Sequence, residues 1–159
     1  MGLSQEKRMR EMREIKFRGK SNIYGWVYGT FALIDGSCHI FEKEDLTEDG
    51  HHVRQDSDRP TWVEPNTVGQ YTGLKDKDGV EIYEGDIVEI HEAPFNFSAI
   101  GVVIYDPETA RFLIREQNKE YPYVFSFQKN GTYNDGYCRV ECESDFHVLG
   151  NVHDNPELL

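Results

Sequence analysis

The chain has 159 residues, 38% of them hydrophobic and 13% aromatic, and a formal net charge of −12. That length suits one domain or two small lobes on a shared core, and the aromatic content is enough for a real core and favours strands. No apolar run reaches the roughly 18 residues that a membrane span needs and no signal-peptide pattern is present, so a cytoplasmic protein without membrane partners is expected.

Residues 1–20 hold seven basic side chains against three Glu, a local balance of +4 that leaves −16 on residues 21–159. Ser4 to Met12 is rich in helix formers and predicts a short N-terminal helix, with Lys7, Arg8, Arg10 and Arg13 forming a basic arm. Ile15 and Phe17 alternate with Lys16 and Arg18 as a strand does, and Gly19 is expected to break the pattern. Ile23 to Ile34 is aromatic and β-branched. Asp35-Gly36 signals a hairpin turn, and Ser37 to Phe41 returns as the partner strand. Residues 42–60 are acidic, carry His51 and His52, and predict an exposed loop.

Order resumes at Thr61-Trp62-Val63. In the stretch Thr67 to Val88, Asp78-Gly79 predicts a type I′ turn, and Glu84-Gly85-Asp86 predicts a bend between Ile82 and Val88. Further strands are expected over Ile100–Tyr105, Arg111–Arg115, Tyr123–Phe127, Tyr137–Cys142 and Phe146–Val152. Short strands with tight turns and no amphipathic helix between them suggest a small barrel, because closure removes exposed edges. Asn155-Pro156-Glu157 looks like a helix start, and Leu158 and Leu159 are expected to dock as an apolar tail.

Three blocks carry a family likeness. Gln70-Tyr71-Thr72-Gly73-Leu74-Lys75-Asp76 through Gly79 to Tyr83-Glu84-Gly85-Asp86-Ile87-Val88 resembles the central motif of the YopX family of phage and prophage proteins. Met12 to Arg18 resembles the family's opening, and Val148 to Leu159 resembles its ending. The resemblance implies that residues 1–11 are an N-terminal extension and that residues 12–159 form one unit. Within that unit, residues 12–65 make an N-terminal β subdomain, and residues 66–159 make an SH3-like barrel. It implies no activity.

The residues themselves support no reaction mechanism. Cys138, Cys142, His147 and His153 superficially suit zinc, but on one strand the two sulfurs would stand about 13 Å apart. Cys38 completes an odd set of thiols, which fits a reducing compartment. Asp76, Asp78 and Gly79 resemble part of a calcium loop, yet Leu74 and Gly85 fall where that loop needs carboxylates. No metal site and no cofactor are therefore assigned. Glu84 and Asp86 have no nearby nucleophile or oxyanion stabiliser, so they predict a backbone bend rather than an acid–base pair. The family-motif residues are read as structural, with a role as an interaction surface left open.

The leading expectation is a non-catalytic phage or prophage accessory protein that binds an unknown host or phage protein. Its alternatives are an acidic nucleic-acid mimic and an enzyme whose site the sequence does not reveal. The acidic body disfavours direct nucleic-acid binding, and homo-oligomerisation stays open.

Overall fold

A computed structural model describes residues 14–42, 60–92, 97–116, 124–126, 132–134, 139–141 and 145–159. The expected helix over Ser4–Met12, the basic arm, residues 43–59 of the acidic loop, and Cys138 and Cys142 lie outside the described residues.

The first sheet grows from two hairpins. β1 (Phe17–Ser21) and β2 (Gly25–Ile34) pair antiparallel from Phe17 opposite Gly29 to Ser21 opposite Gly25. Gly19 does not break β1, contrary to expectation. It sits mid-strand against Val63, whose side-chain atoms lie 2.8 Å from where a Cβ would be. The turn to β3 (Ser37–Glu42) is the predicted hairpin turn, and φ of 50° at Asp35 and 79° at Gly36 gives it type I′ geometry. β4 (Thr61–Trp62) pairs with β3, and after a 3₁₀ turn at Pro65–Thr67 the chain enters β5 (Gly69–Lys75) and β6 (Glu81–Tyr83). The sheet order is β4-β3-β2-β1-β5-β6.

The β5–β6 turn differs from the type I′ expectation. Gly79 has φ of 84°, but Asp78 is not left-handed. The geometry comes instead from the buried Asp76 carboxylate, whose Oδ1 accepts the N–H groups of Asp78 at 2.9 Å and Val80 at 2.8 Å. A short polar side chain here supplies the acceptors that a two-residue turn would otherwise provide.

At Gly85, with φ of 81°, the chain leaves the first sheet for the second. β7 (Asp86–Glu92), β8 (Phe97–Asp106), β9 (Arg111–Glu116) and β10 (Val124–Ser126) form a meander, and β13 (Asp145–Asn151) returns antiparallel beside β7. Of β11 (Thr132–Asn134) and β12 (Arg139–Glu141), each pairs only with the other among the described residues. The described strands therefore make an open five-stranded sheet, order β10-β9-β8-β7-β13, and not a closed barrel. β10 and β13 stand at opposite edges. The C-terminal residues form a 3₁₀ turn at Pro156–Leu158, and Leu158 and Leu159 stay more than a third exposed rather than docked. No helix among the described residues is long and apolar enough to cross a membrane.

Two clusters hold this together. Ile82 from β6 inserts among Val88, Ile90, Ala99, Val103 and Ile114 of the second sheet. Val27, Cys38, Ile40 and Val63 form the core of the first sheet, flanked by Phe17 and Phe31. Each fully buried aliphatic side chain contributes about 1.5–3 kcal/mol.

Close backbone approach sets one limit on β2. A Cβ at Gly29 would run into the carbonyl oxygen of Phe41. Gly29→Ala is expected to cost about 1–3 kcal/mol through overpacking, read as a lower urea midpoint at unchanged slope. An unchanged midpoint would contradict this close β2–β3 approach.

Candidate functional site between the sheets

The most unusual group in the described chain is a buried cation. Arg18 lies on the β1 face that turns toward the second sheet, and only 6% of it is exposed. Its Nη1 meets Asp86 Oδ1 at 2.6 Å, and its Nη2 donates to the Glu84 carbonyl at 3.0 Å. The guanidinium carbon stands 4.8 Å from the Trp26 ring centre and 5.1 Å from that of Tyr83. Trp26 and Tyr28 reach it because β2 residues opposite Lys20 and Arg18 share their face. Burial pushes the Asp86 carboxyl up, opposed by Arg18 and by the Tyr83 N–H, which donates to Asp86 Oδ2 at 2.8 Å.

Two lysines frame Arg18, Lys16 just before β1 and Lys20 on it. Lys16 pairs with Glu81 at 2.6 Å, and Glu81 also accepts the Tyr83 hydroxyl at 2.7 Å. The Tyr83 hydroxyl is driven above the ordinary tyrosine range, first by burial and then by Glu81. Lys20 meets Asp154 at 2.5 Å, and Asp154 also accepts Trp26 Nε1 at 2.6 Å and Asn151 Nδ2 at 3.1 Å. Those three donors, Lys20 first, hold the Asp154 carboxyl well below the usual range. The partners of these three cations thus come from β6, β7 and the segment after β13. Between them lies a cleft of about 370 Å³ bordered by Arg18, Tyr28, Glu81, Tyr83, Asp86 and Asn151.

The motif residues that the sequence singled out converge on this junction. The Gln70 N–H donates to the Glu84 carboxylate at 2.8 Å, and the Glu84 N–H donates back to the Gln70 carbonyl at 3.0 Å. Tyr71 packs on Tyr83 with ring centres 5.4 Å apart. The Thr72 hydroxyl donates to the Ile82 carbonyl, Gly73 has φ of 89°, and Leu74 packs on the second core. Gly85 presents its N–H to the Val103 carbonyl at 2.9 Å and its own carbonyl to the Val152 N–H at 2.9 Å.

A model of the family described as YopX protein matches residues 4–159. The chain belongs to the YopX family. No curated protein matches it. Among solved structures it is similar to the crystal structure of protein EF1440 from Enterococcus faecalis. The two share 24% identity over 93% of this chain and 99% of that one, with a TM-score of 0.44.

The remaining candidates in this YopX-family chain fall apart in space or outside the described residues. Lys7, Arg8, Arg10 and Arg13 are not among those described, nor are Cys138 and Cys142. Cys38 is buried in the first core. Asp76, Asp78 and His147 do meet, with His147 Nδ1 3.1 Å from Asp78 and 3.8 Å from Asp76. Asp76 is nevertheless committed to backbone: its Oδ2 accepts the Val148 N–H at 3.1 Å while its Oδ1 holds the turn. Its carboxyl sits below the usual range because these N–H groups outweigh its desolvation. The residue that sequence reading missed is Arg18, placed there on the polar side of an alternating strand. Its signal lay at a distance, in the nearby pair Trp26 and Tyr28 and in Asp86.

Removing one partner of a buried ion pair leaves an uncompensated charge, which costs about 3–5 kcal/mol. Asp86→Ala is expected to lose that much in denaturant unfolding. Arg18→Met combined with Asp86→Leu should be the more stable protein, since no charge is left buried. A double variant as unstable as Asp86→Ala would show that the stacking of Arg18 on Trp26 and Tyr83 matters more than the charge.

His153 packs on Trp26 with ring centres 5.9 Å apart, and its pKa is lowered from 6.5 by burial first, then by Arg18. The unfolded chain therefore takes up a proton that the folded chain refuses. This contribution is full above the ordinary histidine range and is lost as pH falls through it. The Tm is expected to drop between pH 7 and pH 5, and to drop less in His153→Gln. Parallel curves for the two proteins would exclude His153 as the titrating group.

Proposed function

We propose that this chain is a non-catalytic protein-binding module, an accessory protein of phage or prophage origin acting in the bacterial cytoplasm. The observation that carries the reading is an exposed apolar face on the first sheet. Cross-strand register puts Thr30 opposite Phe41, Ala32 opposite His39 and His39 opposite Trp62, so these side chains and Ile34 share one face with Tyr28. Phe41 and Trp62 are each 41% exposed and Tyr28 is 43% exposed. Aromatic side chains that stay accessible beside a polar cleft are the usual anchors of protein interfaces. With a net charge of −12, the fitting partner is a protein whose apolar contact surface is rimmed by Lys and Arg.

The carboxylates considered for catalysis are already in use. Glu84 holds the Gln70 N–H, and Asp86 is paired with Arg18 and 1% exposed. This supports a binding role over hydrolysis. The second sheet's meander, whose last strand β13 returns beside its first strand β7, also supports reading that half as related to an SH3-like barrel.

Affinity capture from bacterial lysate, repeated with Phe41→Glu/Trp62→Glu, tests the reading. Basic proteins retained by the natural chain should be lost with the double variant and weakened by salt. Glu157→Lys, on the C-terminal 3₁₀ turn, should leave them in place. Identical retention by all three chains would overturn the proposal.

A further inference from the structure

We infer that the edge of β2 over Thr30–Ile34, open among the described residues, accepts an extended segment of a basic partner protein as one more antiparallel strand. The inference rests on the protein-binding reading above and names the main-chain part of that contact. β1 pairs with β2 only as far as Phe17 opposite Gly29, whereas β2 runs on to Ile34 with β3 alone beside it among the described residues. At Lys16 the chain still bonds toward β5: the Lys16 carbonyl accepts the Tyr71 N–H at 2.8 Å, and Lys16 Nζ binds Glu81.

The direction of the uncovered groups follows from the hairpin. In a two-residue turn the flanking pair, here Ile34 and Ser37, exchanges hydrogen bonds, and such pairs then alternate along the ladder. Ile34, Ala32 and Thr30 therefore bond to β3. Phe31 and Leu33 direct their N–H and C=O groups to the open side. Edge strands are normally guarded by charge, proline or a bulge. The run Thr30-Phe31-Ala32-Leu33-Ile34 has no charge and no proline, and its pairing with β3 is without a register shift. Its side chains offer grip on both faces: Leu33 is 66% exposed on one, and Ile34 is 37% exposed on the other, beside the Phe41 and Trp62 face. Strand addition draws affinity from such a main-chain row and specificity from alternate side chains. The net charge of −12 selects lysine or arginine at the outward positions and opposes a second copy of this chain.

The test is amide hydrogen exchange by NMR on the full chain, with a blocked seven-residue peptide alternating lysine and valine. Without peptide, the Phe31 and Leu33 amides should exchange about 100-fold faster than those of Thr30 and Ala32. Millimolar peptide should slow them about tenfold or more, and the glutamate–valine counterpart should not. Leu33→Pro, which removes an outward N–H, should keep the fold and abolish the slowing. Leu33→Lys should weaken the slowing with all backbone donors intact. Unslowed Phe31 and Leu33 amides would overturn the inference. If the Phe41 and Trp62 signals still shifted, the exposed face would stand as a binding surface without strand addition. Protection already present in the free chain would also overturn it. Protection that rose with protein concentration would assign the edge to a second copy, and protection lost on deleting residues 1–13 would assign it to the chain's own N-terminal residues.

Discussion

The pairing of Arg18 with Asp86 is the constraint on which the described fold turns. A guanidinium placed where it is 6% exposed requires a carboxylate with equal burial, and Asp86 at 1% meets that demand. The pair joins the second residue of the first sheet's central strand to the first residue of the second sheet. Everything near it follows from making that meeting exact in space: the left-handed Gly85, the carbonyl of Glu84 turned to Arg18, and the Tyr83 N–H turned to Asp86. Such a pair adds little net stability, because desolvation offsets most of the attraction. What it sets is a constraint on how the two sheets meet, since each buried charge must reach the other.

The family motif reads differently once this is seen. Three of its acidic residues accept backbone N–H groups: Asp76 from the β5–β6 turn and β13, Glu84 from β5, and Asp86 from β6 while it also pairs with the Arg18 side chain. Each replaces a hydrogen bond that a regular ladder would have made, at a place where the chain changes sheets or reverses. A run of such residues resembles a metal or catalytic site in one dimension. In three dimensions Asp76 and Asp86 are buried and already committed to backbone N–H groups and to Arg18.

Much of the local structure was legible in the residues. The alternation in Ile15–Arg18, the Asp35-Gly36 turn and the bend at Gly85 correspond to β1, its hairpin neighbours and the change of sheet. Gly19 misled because a glycine's local meaning is a break, while its use here is to admit Val63 from a residue 44 positions away. Asp78-Gly79 misled because Asp76, two residues earlier, supplies the acceptor. The barrel expectation followed from tight turns, but tight turns specify neighbours and say nothing of closure; that depends on whether β10 reaches β13. The Arg18 cleft was not legible, since its members stand at positions 18, 28, 81, 83, 86 and 151 and no spacing rule links them. Exposure was equally hidden, because Phe41 and Trp62 have the composition of core residues.

The long reach of Asp154 has a kinetic side. Its bond to Lys20 spans 134 residues, and its bond to Trp26 spans 128. During synthesis β1 and β2 emerge from the ribosome early, with Arg18 and Lys20 on them and before their partners Asp86 and Asp154 are made. The hairpins can form at once, but the junction must wait for β7 and then for the segment after β13. Contacts of this separation slow folding, and until Asp154 is made the aromatic face and the cations of the first sheet lack the partners that the folded chain gives them.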